Sequence, residues 1–143
     1  LNEPVGVIAA LCPAEAPLLG LVTAIGPALA AGNRVVLVPS EPAPLAATDF
    51  YQVLDTSDMP AGAVNIVTGA HAELAPVLAA HGEVGALWNF ADPGLTAEIE
   101  RQAADTLKRT WALATDWFAP QAEGRAFLHQ ACEVKTIWVP YGA

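Results

Sequence analysis

Positive charge is what this chain has least of. Its 143 residues carry 6 Lys and Arg against 15 Asp and Glu, a net charge of −9. Up to Glu100 the only basic residue is Arg34. A nucleic-acid backbone needs a basic face, so that class of partner is excluded. A phosphate-bearing cofactor would find almost no cationic side chain in the first two-thirds and would rest on backbone dipoles alone. Cysteine is scarce too. Cys12 and Cys132 form no close pair, and with His71, His81 and His129 they show no zinc-type spacing, so no metal site is expected. Both read as buried, reduced structural thiols of a cytoplasmic protein.

Long apolar runs are missing as well. The most apolar stretch, Leu18 to Ala31, is too short for a bilayer and is interrupted by Gly26-Pro27, so no membrane partner is expected. Asn2, Glu3 and Pro4 follow Leu1 where a signal peptide would carry a basic region. The lack of an initiating Met leads us to expect a fragment, or a domain cut from a longer chain. No repeat, low-complexity tract or flexible linker interrupts the sequence, and a single domain over residues 1–143 is expected.

What the chain does have is Ala, Leu and Val. Its hydrophobic fraction of 54% suits buried parallel strands and the helices that cover them. The pattern predicts strands at Val5–Leu11, Arg34–Val38, Val64–Val67 and Val84–Trp88. Helices are expected at Leu18–Ala31, with Leu18, Val22, Ile25 and Leu29 on one stripe, and at Leu45–Leu54, His71–Ala80 and Thr96–Leu107. Pro27 should kink or restart the first helix, and Gly32-Asn33 should stop it. Alternation at this spacing means βαβ units, hence an α/β, Rossmann-like parallel sheet with helices on both faces over residues 1–113. Residues 114–143 break the rhythm. They read as a loop, a helix over "EGRAFLHQACEV" and a terminal strand in "VKTIWVPYGA", which Pro140 confines to an edge.

The turn "CPAEAP" after the first strand stands where α/β enzymes bind ligands, beyond the strand ends. Exposed N–H groups at the following helix start favour anions there, yet the turn carries Glu15.

Three segments, "EPVGVIAALCP", "GPALAAGNRVVLVPSEPAPL" and "MPAGAVNIVTG", resemble the nucleotide-binding domain of the aldehyde dehydrogenase superfamily in order and spacing. The ending "FLHQACEVKTIWVPYGA" resembles the C-terminus of the superfamily's sixteenth family, whose members carry a second, reduced dehydrogenase-like region after a complete one. The resemblance implies which positions would work. Glu15 stands where the family's turn has the Asn that stabilises the oxyanion, a loss of about 3–4 kcal/mol of transition-state stabilisation for one donor. An exposed acid at a helix start is the plainer reading of Glu15. Val38 replaces the Lys that binds the adenosine ribose. Ser40 and Glu41 remain, and Glu41 would be a vestigial cofactor-binding acid or an ordinary exposed side chain. "NFAD", Asn89–Asp92, aligns with a turn that usually reads Phe-Thr-Gly-Ser, so Ala91 replaces its Gly and Asp92 adds repulsion where a diphosphate would sit. Pro93 removes a further N–H. Leu113 occupies the position of the general base and cannot take a proton.

The domain with the family's nucleophilic Cys is missing. Cys132 lacks its Gly-rich neighbourhood, and His129 three residues earlier is a pairing common by chance. No catalytic residue is therefore expected. The leading expectation is a non-catalytic, degenerate dehydrogenase-like domain that serves assembly or stabilisation of a larger aldehyde dehydrogenase, with a dehydrogenase region of the same or another chain as partner and a homo-oligomer as its form. Trp88, Trp111, Trp117, Phe118 and Trp138 cluster mostly late in the sequence, where interface surface for it is expected, and core packing explains any single one equally well. Two alternatives stand beside it: a residual NAD-binding module, and a fragment of an NAD-dependent enzyme whose activity resides in the rest of its parent. This segment alone is expected to hold no cofactor, with NAD belonging to the parent.

Overall fold

Short apolar runs become the strands of one parallel sheet in the computed structural model, which describes residues 1–120 and 125–142. In chain order the first half contains β1 (Asn2–Pro4), β2 (Val7–Leu11), α1 (Pro17–Ala30), β3 (Arg34–Val38), α2 (Leu45–Asp55) and β4 (Val64–Ile66). The second half contains α3 (His71–Ala80), β5 (Ala86–Asn89), α4 (Thr96–Ala103), β6 (Arg109–Ala112), α5 (Ala126–Gln130) and β7 (Cys132–Val134). The five-stranded sheet runs β4-β3-β2-β5-β6, and every pair in it is parallel. β2 is central, with Ile8 beside Val35 on one flank and Ala86 on the other.

Alternation along β2 divides the core between the two faces. Ile8, Ala10 and Cys12 face α1, α2 and α5, together with Val35, Leu37, Ala86 and Trp88. Ala9 and Leu11 face the opposite way, with Leu87, toward Ala75 and Ala79 of α3 and Ile99 of α4. A sheet clothed on both faces excludes water from its whole ladder, which explains why its strands read as continuous apolar runs.

The helix over α1 forms, but its stripe is rotated. Gly20, Leu21, Ala24, Ile25 and Ala28 are buried, whereas Leu18 and Val22 remain 49% and 42% exposed. Gly20 sets this rotation: a Cβ there would stand 2.3 Å from Cδ of Pro13, so only a hydrogen fits beneath the turn. Small residues at 20, 24 and 28 then lie inward together with Leu21 and Ile25, and of the expected stripe Leu18 and Val22 turn outward while Ile25 stays buried. Pro27 sits inside the helix without ending it. Gly32, at φ +89°, supplies the expected stop.

The C-terminal strand forms upstream of most of the predicted segment. β7 pairs antiparallel with β1, Asn2 opposite Val134 and Pro4 opposite Cys132, in a separate two-stranded ribbon. Lys135 still exchanges backbone bonds with Leu1. Beyond it no neighbouring strand is at hand, and Thr136–Gly142 adopts no regular structure. The expected helix shortens to Ala126–Gln130, with Glu123 and Gly124 of its predicted span outside the described residues. Its Phe127 inserts into an aromatic cluster with Trp88, Phe90, Trp111 and Trp117, ring centroids 5.0–6.4 Å apart where the rings touch. Trp88, Trp111 and Trp117 therefore pack into the core and do not furnish exposed surface. Phe118 and Trp138, 75% and 84% exposed, do.

Candidate functional site

In an open α/β sheet the ligand crevice lies beyond the strand ends where the order reverses. Here β2 leads outward through β3 to β4, and the chain then crosses to β5 on the other flank of β2. The turns after β2 and β5 thus flank the crevice. A cavity of about 270 Å³ lies there, bordered by Ala14, Glu41, Pro42, His71, Asp92 and Leu95. A second hollow, of about 320 Å³, adjoins it along Ser40, Glu41, Thr68 and Ala70.

The β5 turn is organised from within. Asn89, only 4% exposed, donates through Nδ2 to the Asp92 carbonyl at 2.7 Å and the Thr96 hydroxyl at 3.2 Å, and its Oδ1 accepts from the Ala91 N–H. Asp92 then folds its own carboxylate over the next turn, where Oδ1 accepts the Gly94 N–H at 2.7 Å. The backbone donor that an incoming anion would use is thereby taken by a fixed anion of the chain.

Glu41 does the same for α3. One of its carboxylate oxygens accepts the backbone N–H of His71 at the first residue of that helix. The His71 ring is buried, and its Nε2 lies 2.7 Å from the Pro39 carbonyl. A carbonyl only accepts, so Nε2 carries the proton. Nδ1 faces the same Glu41 oxygen at 3.9 Å. Glu41 remains about half exposed, which leaves its second oxygen available. Ser40 beside it is 1% exposed, and its hydroxyl has no hydrogen-bond partner among the described residues.

These contacts decide which ligand chemistry the crevice suits. A buried orphan hydroxyl and a half-free carboxylate match a hydroxyl-bearing group such as a sugar. A diphosphate is opposed there: among the described residues two carboxylates and no Lys or Arg border the crevice, and the His71 and Gly94 amides already have those carboxylates as acceptors.

Ala91, also singled out in the sequence, borders the cavity, while several other such positions stand apart from this cluster. Glu15 is exposed on the β2 turn and does not border the cavity. Val38 is fully buried. Leu113 packs against the aromatic face. Cys12 is fully buried, and burial pushes its thiol up to about 12. It is no nucleophile at neutral pH. Cys132 and His129 lie on the far side of the fold, at β7 and α5. Among the described residues no group of His, Cys, Asp and Glu could hold a metal ion. No described helix is long and apolar enough to cross a membrane. The sequence reading named His71 and Asn89 but gave neither a role at the crevice, although "GAHAELA" and "NFADPG" each show a polar residue at an element boundary.

The sequence profile described as the aldehyde dehydrogenase family matches residues 1–114. A (Z)-2-((N-methylformamido)methylene)-5-hydroxybutyrolactone dehydrogenase of Acinetobacter baylyi is 39% identical over 109 residues, which is 76% of this chain and 22% of that protein. An NADP/NAD-dependent aldehyde dehydrogenase of Escherichia coli is 38% identical over 112 residues, 78% of this chain and 23% of that protein. Among solved structures, a variant of aldehyde dehydrogenase C from Pseudomonas syringae, with NAD+ and octanal bound, superposes with a TM-score of 0.75 at 35% identity, covering 78% of this chain and 23% of that one. The chain thus spans between a fifth and a quarter of the length of these relatives.

Proposed function

Because the chain belongs to the aldehyde dehydrogenase family, we propose that it is a degenerate, non-catalytic domain of that kind, like the one that the superfamily's sixteenth family carries after a complete dehydrogenase. Its role is assembly or stabilisation of a larger aldehyde dehydrogenase, in the same or a partner chain. Two free thiols suit the reducing cytoplasm as its setting.

One observation carries the reading. At the mouth of the crevice, Asp92 hands its carboxylate to the Gly94 N–H, so the chain fills from within the place of a ligand anion. The remaining features agree with it. Leu113 offers no proton acceptor, and Trp117, Phe90 and Phe127 fill the space over β5 and β6 with edge-to-face and tilted rings. What survives is a scaffold.

Calorimetric titration tests the crevice. The expected result is no heat of specific binding with NAD at millimolar concentration, and no aldehyde-dependent NADH formation. Cofactor binding that vanishes on Glu41→Ala would reject the reading. The second reading, a residual nucleotide module, is favoured by the orphan Ser40 hydroxyl beside Glu41. It predicts binding of adenosine without its phosphates, lost in Ser40→Ala. Removal of residues 136–143 tests the assembly role, with a fall in assembly mass or in docking onto a complete dehydrogenase expected. An unchanged mass and undiminished docking would count against it.

A further inference from the structure

Away from the crevice, we propose that the outer edge of β4 binds an extended segment of another protein as a further strand of the sheet, one whose uncharged, β-branched centre lies between two Lys or Arg residues. β4 is the last strand on its side. The Ala63 carbonyl accepts the Val35 N–H, and Val67 donates its N–H to the Leu37 carbonyl, each at 2.9 Å. Along a parallel strand both main-chain groups of one residue point to one side, and those of the next residue to the other. Asn65 therefore also faces β3, whereas Val64 and Ile66 turn N–H and C=O away from the sheet. No described backbone group bonds to those four. An open edge of this kind takes up another strand.

Sheet edges are ordinarily guarded by charge or proline. The opposite edge follows that rule, with Arg109 in β6 and Lys108 just before it. Residues 64–68 contain neither. The space beside them is shaped for side chains. Thr48 and Tyr51 of α2, with Val64, Ile66, Val67 and Thr68, line a hollow of about 550 Å³. Tyr51 and Val67 are 48% and 43% exposed, so both have apolar surface to give.

Charge selects the occupant. At Tyr51 and Val64 the hollow meets a smaller one whose walls include Asp55, and at Thr68 it meets the one that borders Glu41. The furrow thus has a carboxylate toward each end. No Lys or Arg lines it, and the sequence has none from residue 35 to residue 100. Opposite charge on the incoming strand complements those ends. Residues 64–68 span about 13 Å at the rise of a strand, which leaves room for about five uncharged residues between the two cations. Val and Thr suit that centre, because β-branched side chains pack well on a half-buried pleated surface. Acids at both ends serve a strand running in either direction.

The probe is a fluorescein-labelled peptide with blocked ends, Lys-Val-Thr-Val-Thr-Val-Lys, titrated with the 143-residue chain. Anisotropy should rise to saturation. Hydrogen exchange followed by NMR should slow at the Val64 and Ile66 amides, while those of Asn65 and Val67, already bonded within the sheet, keep their rates. Replacing both peptide lysines with glutamate should weaken binding about tenfold or more, and Asp55→Lys in the protein about threefold or more. Methylating the central amide nitrogens of the peptide should abolish binding. Ile66→Pro withdraws one outward N–H and spares the bonds to β3, so it should weaken binding in a chain whose circular dichroism is unchanged. Where that variant fails to fold, the methylated peptide decides the matter. No saturation at millimolar protein overturns the proposal. So does equal binding by the glutamate or methylated peptide, or protection confined to residues outside β4. Each of those results leaves the assembly reading intact, since that reading is tested by mass and docking.

Discussion

Asn33 reaches across 98 residues of sequence to hold Ala131, its Nδ2 donating to that carbonyl at 2.8 Å. The same amide donates to Ala28 at the end of α1, and its Oδ1 accepts the Gly6 N–H at 2.8 Å. One buried side chain thus ties the start of β2, the end of α1 and the junction of α5 with β7. Asn33→Ala leaves those groups without a partner and should cost about 3 kcal/mol of stability. Urea unfolding measures the loss, and hydrogen exchange should show the α5–β7 segment opening first. A variant within about 0.5 kcal/mol of the wild type would mean that the three links contribute little.

Cys12 should be silent toward thiol reagents at neutral pH while Cys132, partly accessible, reacts. Stability follows from the same burial. An unfolded thiol ionises from about pH 8.5, whereas Cys12 in the folded chain holds its proton up to about pH 12. In between, the unfolded state binds fewer protons, so stability falls as pH rises. The difference between wild type and Cys12→Ala, followed by urea titration from pH 8 to 11, should therefore narrow or reverse with rising pH. A constant difference would refute the argument.

Lys108 plugs the end of α3. Its Nζ donates to the carbonyls of Ala79 and His81, each at 2.7 Å, and to Leu78 at 3.4 Å. These are carbonyls that a helix end leaves without intrahelical partners, at the negative pole of its dipole. Burial lowers the lysine's pKa, but the three carbonyls give its protons acceptors. Lys108→Met keeps the stem and removes the donors, with an expected loss of about 2 kcal/mol. Thermal unfolding checks it, and a neutral outcome would show that water serves the carbonyls equally well.

Leu107 occupies the left-handed region, at φ +51°, with 93% of its surface exposed. Its side chain packs on almost nothing, and a Cβ in that conformation costs about 1 kcal/mol. Leu107→Gly should raise stability by roughly 0.5–1 kcal/mol. A drop in melting temperature would indicate a contact that exposure conceals.

Much of the parallel sheet was legible because its chemistry is local. "VVLV" and "VGVIAAL" repeat apolar residues at strand length, and Gly32 announces a stop that only a residue tolerant of positive φ can supply. β1 was not legible. "NEP" has no strand propensity, and it becomes a strand because residues 132–134 arrive beside it from the other end of the sequence. The α1 stripe held at Ile25 and Leu29 and not at Leu18 and Val22: hydrophobicity ranks Leu18 above Ala24, but the pyrrolidine of Pro13 leaves room only for Gly20 and helps decide which face turns inward. The crevice residues fell between the two cases. Glu41 and Asp92 were visible as acids near a ligand position, while their actual partners, amides at the starts of later elements, depend on how the turns close.

The antiparallel meeting of Leu1 with Lys135 carries an architectural consequence. Because residues 2–4 are a strand only while residues 132–134 lie beside them, a cut anywhere between the two would turn an intramolecular pairing into a bimolecular one and release both segments together.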